Sequence, residues 1–168
     1  MCKPTFRRAV AHDLAAVDAL FRCAIDSMCA QGIDQWDAVY PATADFADDI
    51  ASGTLHLMEY KDQLLAVGVL NCVEEPEWAD AASWQYRPDR VCALHRLCVH
   101  PQRQSRGIGQ RMLSYLELVA RAQGFDVIRL DAFLQNLHAI RFYERMGYRH
   151  AGNVRFRKGM FGCYEKAL

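Results

Sequence analysis

At 168 residues, 52% of them apolar and 24% charged, the chain is long enough for one well-buried core and shows no bias toward disorder or fibres. Its 20 Lys and Arg balance 20 Asp and Glu, so no global field favours nucleic acid or an anionic surface. No apolar run nears the ~20 residues of a bilayer span, so neither nucleic acid nor a membrane is an expected partner.

In chain order, residues 5–10 read as a first strand. Asp13 is placed to cap a helix over 13–31, where Leu14, Val17, Leu20, Phe21, Ala24, Ile25 and Met28 recur at helical spacing up to Gly32. Residues 32–41 lack a period and read as a loop. Thr43 is placed to cap a short helix through Ile50, closed by Gly53. Two strands, 55–60 and 64–70, flank the turn Lys61-Asp62-Gln63, and an acidic, Trp-bearing loop follows over 74–88.

Residues 91–99 form the next strand, stopped by His100-Pro101 because Pro cannot donate to a ladder. Alternation puts His95, Leu97 and Val99 on one face, and Leu94, Arg96 and Cys98 on the other. Cys92-x-x-His95-x-x-Cys98 therefore does not converge on a metal, and no metal is expected. A helix follows over 107–123, then a strand over 126–132 and a helix from Asn136 through Met146 to Gly147. Two antiparallel strands, 148–155 and 161–166, close the chain.

The order β-α-α-β-β-β-α-β-α-β-β, without repeats or linkers, predicts one mixed α/β domain over residues 1–168. The first residues, Met1 to Arg8, lack the apolar stretch of a secretory signal. Seven cysteines (Cys2, Cys23, Cys29, Cys72, Cys92, Cys98, Cys163) show no paired spacing. They suit a reducing compartment, each a small and mostly buried hydrophobe, and the cytoplasm is the expected location.

The chemistry concentrates where a strand ends and a long helix begins, Val99-His100-Pro101-Gln102-Arg103-Gln104-Ser105-Arg106-Gly107-Ile108-Gly109. The first N–H groups of that helix lack intrahelical partners and sit at the positive end of its dipole. Gly107 and Gly109 let a phosphate approach the backbone, and Arg103 and Arg106 add charge, which together make a pyrophosphate cradle. A Walker loop would need Gly-Lys-Ser/Thr, but Gln110-Arg111 follows Gly109. A dinucleotide fingerprint would need a third glycine where Met112 stands.

Val99-His100-Pro101 with Gln104-x-x-Gly107-x-Gly109 resembles the coenzyme-A loop of the GCN5-related N-acetyltransferase (GNAT) superfamily. Asn136-Leu137-His138-Ala139-Ile140-Arg141-Phe142-Tyr143-Glu144-Arg145-Met146-Gly147-Tyr148 resembles its second motif. The resemblance implies a single mixed, mostly antiparallel sheet, flanked by helices, in which one parallel strand pair splays to admit the pantetheine arm. It implies acetyl-CoA as donor, with the main chain of Leu97, Cys98 and Val99 pairing with the pantetheine amides. Gln104 belongs to the loop motif. The amides of Ser105, Arg106, Gly107, Ile108, Gly109 and Gln110 would hold the pyrophosphate, and Asn136 would reach the arm.

Tyr143 stands where the family often keeps a general acid, and a phenol can supply the proton that a leaving thiolate needs. A packed helix-face aromatic is the alternative role. Asp131, five residues before Asn136, resembles the position of a base in ribosomal-protein N-terminal acetyltransferases; Glu74, Glu75 and His95 are rival bases. The implied acceptor is a small-molecule or peptide amine. Trp36, Tyr40, Trp78, Trp84 and Tyr86, set among acids, suit a cationic one or else cover the core edge. Gly32-Ile33-x-Gln35-Trp36 before Tyr40-Pro41 resembles uncharacterised bacterial members of the superfamily. A coenzyme-A-binding module without turnover is the alternative function, and the C-terminal strands leave a homodimer open.

Overall fold

Seven strands and five helices are present among the residues described by this computed structural model, 3–81, 83–87 and 89–168, the strands mostly apolar runs and the longer helices carrying apolar stripes. Met1 and Cys2, together with Ala82 and Pro88 of the expected acidic loop, lie outside them. The elements are β1 (Thr5–Arg8), α1 (Leu14–Ala30), α2 (Thr43–Ala51), β2 (Leu55–Tyr60), β3 (Gln63–Asn71) and α3 (Trp78–Ala81). There follow β4 (Val91–Val99), α4 (Ile108–Ala122), β5 (Val127–Phe133), α5 (Leu137–Arg145), β6 (Arg149–Phe156) and β7 (Gly159–Ala167). The strand order is β1-β2-β3-β4-β5-β7-β6, a mixed sheet that is antiparallel apart from the parallel β4–β5 pair. The chain divides into two compact units. One runs to Leu70 and takes in Arg96–Leu116; the other takes in Asn71–His95 and Glu117–Leu168.

The first unit is built on the β1–β2–β3 ladder, from Thr5↔Glu59 to Leu55↔Val69. Val17, Leu20 and Phe21 of α1 and Phe46 of α2 pack with Leu57, Val67 and Cys98, and each such burial contributes about 1.5–3 kcal/mol. Phe21 stacks on Phe46 at 4.5 Å and touches Trp36 at 5.2 Å, so the half-buried Trp36 packs against the core of this unit. An added Cβ on Gly68 would come within 2.7 Å of Leu116 and 3.4 Å of Leu97, so close approach of α4 to the strand demands glycine there.

Asp13 stands at the N-cap of α1 as expected, but its side chain does not cap the helix, and the N-cap of α2 is Ala42 rather than Thr43. The Asp13 side chain makes no cap bond to α1; its carboxylate accepts from the Val10 amide at 2.8 Å and binds the Arg7 guanidinium at 2.7 and 2.9 Å. Arg7 holds that carboxyl below its usual range. Thr43 donates to Asp18 at 2.7 Å instead, while Asp45 accepts from the Ala42 amide at 2.6 Å. In each case an acid three residues on reaches back, which also ends β1 at Arg8 rather than Val10.

In the second unit the parallel ladder covers Val91↔Val127, Cys92↔Ile128 and Ala93↔Arg129. β5 then pairs with β7 along its whole length, from Val127↔Ala167 to Phe133↔Phe161. The buried Cys92 and Cys163 have thiols pushed up to about 12 by burial. Cys29 and Cys72 are exposed and Cys23 half-buried, so the expectation of mostly buried thiols fails for half of the six described. No described helix is long and apolar enough to cross a membrane, and no described group of three His, Cys, Asp or Glu could hold a metal.

Candidate active site

In the first unit, β4 ends at Val99, and a 3₁₀ turn over Pro101–Arg103 precedes the glycine loop. The His100 amide is tied to the Leu65 carbonyl at 2.9 Å, which fixes where the loop departs. Ser105 (φ +59°) and Gly107 (φ +73°) both adopt the left-handed region, and alternation of this kind turns successive N–H groups toward one concavity. Gly107 is needed for its φ rather than for space, since an added Cβ there would meet nothing within 4 Å. The helix proper starts at Ile108, one residue later than expected, and the first bond of its ladder runs from the Arg111 amide to the Gly107 carbonyl. Arg103, expected to add charge to the loop, instead donates to Gln63 at 2.9 Å.

The strand leading in carries a kink. Arg96 has φ +51°, and its guanidinium binds both oxygens of Asp49 in α2, at 2.9 and 2.8 Å, and the Tyr40 hydroxyl at 2.7 Å. Arg96 and Cys98 thus lie toward α1 and α2 as alternation predicted, with Leu97 on the α4 side near Gly68.

In the second unit, α3 brings Trp78 down onto β5. Its indole N–H donates to Asp131 Oδ2 at 3.2 Å, and its ring stacks against His95 at 6.1 Å. His95 Nε2 lies 2.9 Å from the Val73 carbonyl, and its Nδ1 lies 3.9 Å from Glu75. Burial pushes the Asp131 carboxyl up to about 7, Glu75 and Glu77 adding like charge and the Trp78 bond opposing them. Tyr143 is the one described residue that α5 buries, and burial together with the nearby Asp131 raises its phenol above the usual range. Asn136 caps α5, its Oδ1 accepting from the Ala139 amide at 3.1 Å. The structure therefore gathers Asp131, Tyr143, Glu75, His95 and Trp78 in one unit, while Glu74 is drawn off to Arg129 at 2.7 Å.

A mixed sheet with a single parallel pair, a glycine loop opening α4 and an Asn-capped α5 form the frame in which comparison with known proteins becomes informative. The model of the Acetyltransferase (GNAT) family matches residues 22–148, which run through both units. The chain belongs to the GNAT family. Solved structures of the same fold include a GNAT-family acetyltransferase from Streptococcus agalactiae, 22% identical with a TM-score of 0.88, covering 98% of this chain and 95% of that one. A second is yncA from Salmonella typhimurium, solved with its cofactor acetyl-CoA, 18% identical with a TM-score of 0.72 and covering 99% and 95%. A third is the ribosomal-protein-S18-alanine N-acetyltransferase from Escherichia coli, 17% identical with a TM-score of 0.69 and covering 99% and 93%. At these identities the structural likeness is one of fold.

Within this GNAT chain, the partners of three side chains escape sequence reading. Trp78 was visible only as one of several loop aromatics, and its partner Asp131 lies 53 residues away. Arg129 and Trp84 form the second element of the same region: the guanidinium lies 4.3 Å from the Trp84 ring centre, and it donates to Glu74 at 2.7 Å and to the Tyr86 carbonyl at 2.9 Å. A signal existed. Two charges at i and i+2 in Val127-Ile128-Arg129-Leu130-Asp131-Ala132-Phe133 share one face of an otherwise apolar strand.

Proposed function

We propose that this chain is a cytoplasmic acetyl-CoA-dependent N-acetyltransferase, its two units acting as one domain over residues 1–168, that acetylates a primary amine by direct attack on the thioester. The observation carrying this reading is Asp131: a carboxyl held near neutrality beneath Trp78 is matched to taking a proton from an ammonium group. The neutral nitrogen then attacks the acetyl carbon, the carbon–sulfur bond breaks, the leaving sulfur takes a proton from the Tyr143 hydroxyl, and the second proton, shed by the new amide nitrogen, restores that hydroxyl. The raised phenol of Tyr143 keeps that proton in place until it is needed.

For the donor, the left-handed Ser105 and Gly107 and the start of the 15-residue α4 suit a pyrophosphate on the amides of residues 105–110. Gln104, Leu97, Cys98, Val99 and Asn136 are proposed along the pantetheine arm. No metal enters the scheme.

Free-thiol release from acetyl-CoA across a panel of amines, run beside thermal unfolding with the coenzyme, tests the proposal. Release with at least one amine is expected, as is a stabilisation of about 3 kcal/mol at coenzyme a hundredfold above its Kd. Stabilisation without release on any amine would favour a coenzyme-binding module without turnover. Neither effect would remove both.

A further inference from the structure

A cleft of about 470 Å³ lies within the second unit, lined by Glu74, Trp84, Arg87, Asp89, Val91 and Arg129. Its size suits a small molecule. Arg129 lines it with a side chain that is nine-tenths buried, and its Nε has no hydrogen-bond partner among the described residues. A buried guanidinium N–H without an acceptor is costly, and such groups are ordinarily satisfied by protein, water or ligand. Nη1 gives one of its two N–H groups to Glu74 and Nη2 one of its two to the Tyr86 carbonyl, and Trp84 covers the plane. Arg87 and Asp89 line the same cleft with opposite charges.

The cleft is firmly built. Glu165, fully buried, accepts from the Gln85 amide at 2.7 Å and the Tyr86 amide at 3.4 Å, and Arg149 binds the same carboxylate. The Ser83 amide is tied to Ala151 of β6. The segment that carries Trp84 is therefore clamped to β6 and β7 from below and to β5 through Arg129. Trp84 meets Trp78 edge to face at 5.9 Å, so one indole covers Arg129 and the next covers Asp131, on one face of one strand.

We propose that this cleft is the anion subsite of the acceptor: the guanidinium of Arg129 receives a carboxylate of the same amine whose nitrogen lies at Asp131. This rests on the acetyltransferase reading above and names its substrate class. Two residues of strand span about 7 Å, so the amine and the carboxylate must stand several bonds apart, as in an ω-amino acid or a dipeptide and not in glycine.

The test uses the purified full chain with acetyl-CoA and the series glycine, 3-aminopropanoate, 4-aminobutyrate and 5-aminopentanoate, each beside its carboxamide. Expected are a kcat/KM at least tenfold higher for 4-aminobutyrate or 5-aminopentanoate than for the matching carboxamide, carried by KM, and no such preference for glycine. Arg129→Gln should bring the carboxylate down to the level of the carboxamide. Glu74→Gln, which removes the competing carboxylate, should lower KM for the carboxylated amine several-fold, a direction that a purely structural role for the pair would not give. If Arg129→Gln does not unfold cooperatively, the wild-type series and Glu74→Gln decide alone. Acetylation without any carboxylate preference would overturn the subsite and leave the acetyltransferase reading standing. Tryptophan quenching by 5-aminopentanoate without thiol release from any amine would overturn the acetyltransferase reading and leave the subsite.

Discussion

The two units carry their candidate chemistry in different materials. In the first it is main chain: left-handed Ser105 and Gly107, and the amides that open α4. In the second it is side chains drawn from distant points of the sequence: Trp78 on Asp131, Trp84 and Glu74 on Arg129, His95 against Trp78. A main-chain site needs particular φ values at consecutive residues and so leaves a local glycine spacing. A side-chain site needs only that the fold bring its members together, and it leaves almost nothing local. Substitutions should separate the two kinds: steep losses from single atoms in the second unit, graded ones in the loop.

The largest effect is expected at Asp131. Asp131→Asn keeps the shape and the Trp78 contact but cannot take a proton, so kcat/KM should fall by about 10²–10⁴, measured by thiol release. The wild-type profile should rise with pH through about 7, where the base form appears, and the variant should lose that rise. Stability should move the other way. A carboxyl raised from about 4 to about 7 by burial destabilises the fold once ionised. Its contribution is intact below pH ~4 and is lost as pH climbs through 7. Asp131→Asn should therefore melt higher than wild type at pH 8, by the order of 2–4 kcal/mol, with the difference gone near pH 4. An equal difference at both pH values would show that the charge is not the cause.

Arg96 is a side chain in the first unit, and it asks whether that unit is as graded as its loop implies. Removing one partner of a buried ion pair leaves the other uncompensated, so Arg96→Ala should cost about 3–5 kcal/mol by stranding Asp49. The carboxyl of Asp49 is already raised by burial, with Arg96 opposing the shift. Arg96→Met with Asp49→Leu should recover most of that loss in urea unfolding, because two apolar side chains of similar volume suit the same site. Failure to recover would mean that the left-handed φ of Arg96, rather than its charge, is what the strand requires.

These cases show what could be read from the chain alone. Apolar runs bounded by turn residues in β2, β3 and β5 and helical spacing in α1 and α4 located almost every element, because a strand buried on both faces leaves a continuous run and a helix buried on one face leaves a stripe. The four-residue α3 was not visible, since one turn has no period; its Trp78 is nearly fully buried in the second unit. The Asp13 and Thr43 side chains do not reach forward to helix amides because other partners hold them: Asp13 accepts from Arg7 and the Val10 amide, and Thr43 donates to Asp18. The glycine loop that opens α4 was legible as a strand–turn–helix junction, with Ser105 and Gly107 left-handed there. Arg129 showed only as a charge beside Asp131 on one face of an apolar strand; its cleft did not show, because nothing in residues 84–91 points to a partner some 40 positions on.

Tyr143→Phe tests whether the second unit acts through atoms or through packing. The ring lies 5.2 Å from Phe142 and 5.7 Å from Tyr148, and phenylalanine keeps those contacts. If the hydroxyl delivers a proton, kcat should fall by about 10² while acetyl-CoA stabilises the variant as it does wild type. If Tyr143 only fills space, kcat should stay within about twofold.

Gly107→Ala should have the smallest effect and is the most direct probe of the main-chain half of the comparison. The methyl group meets nothing, so no clash enters; the cost is that of holding an L-residue at φ +73°, about 1–2 kcal/mol. The variant can meet that cost in two ways. It can keep the loop and lose the increment from global stability, or relax the loop and turn the amides away from the pyrophosphate. The first outcome lowers the melting temperature of the free protein and leaves the stabilisation by acetyl-CoA intact. The second leaves the free protein near wild type and reduces the stabilisation by the coenzyme. The second is expected, because residues 105–107 are exposed and no packing holds them in the strained form. A loss confined to the free protein would mean that the loop is held by its neighbours, and that its shape owes less to glycine than the spacing implies.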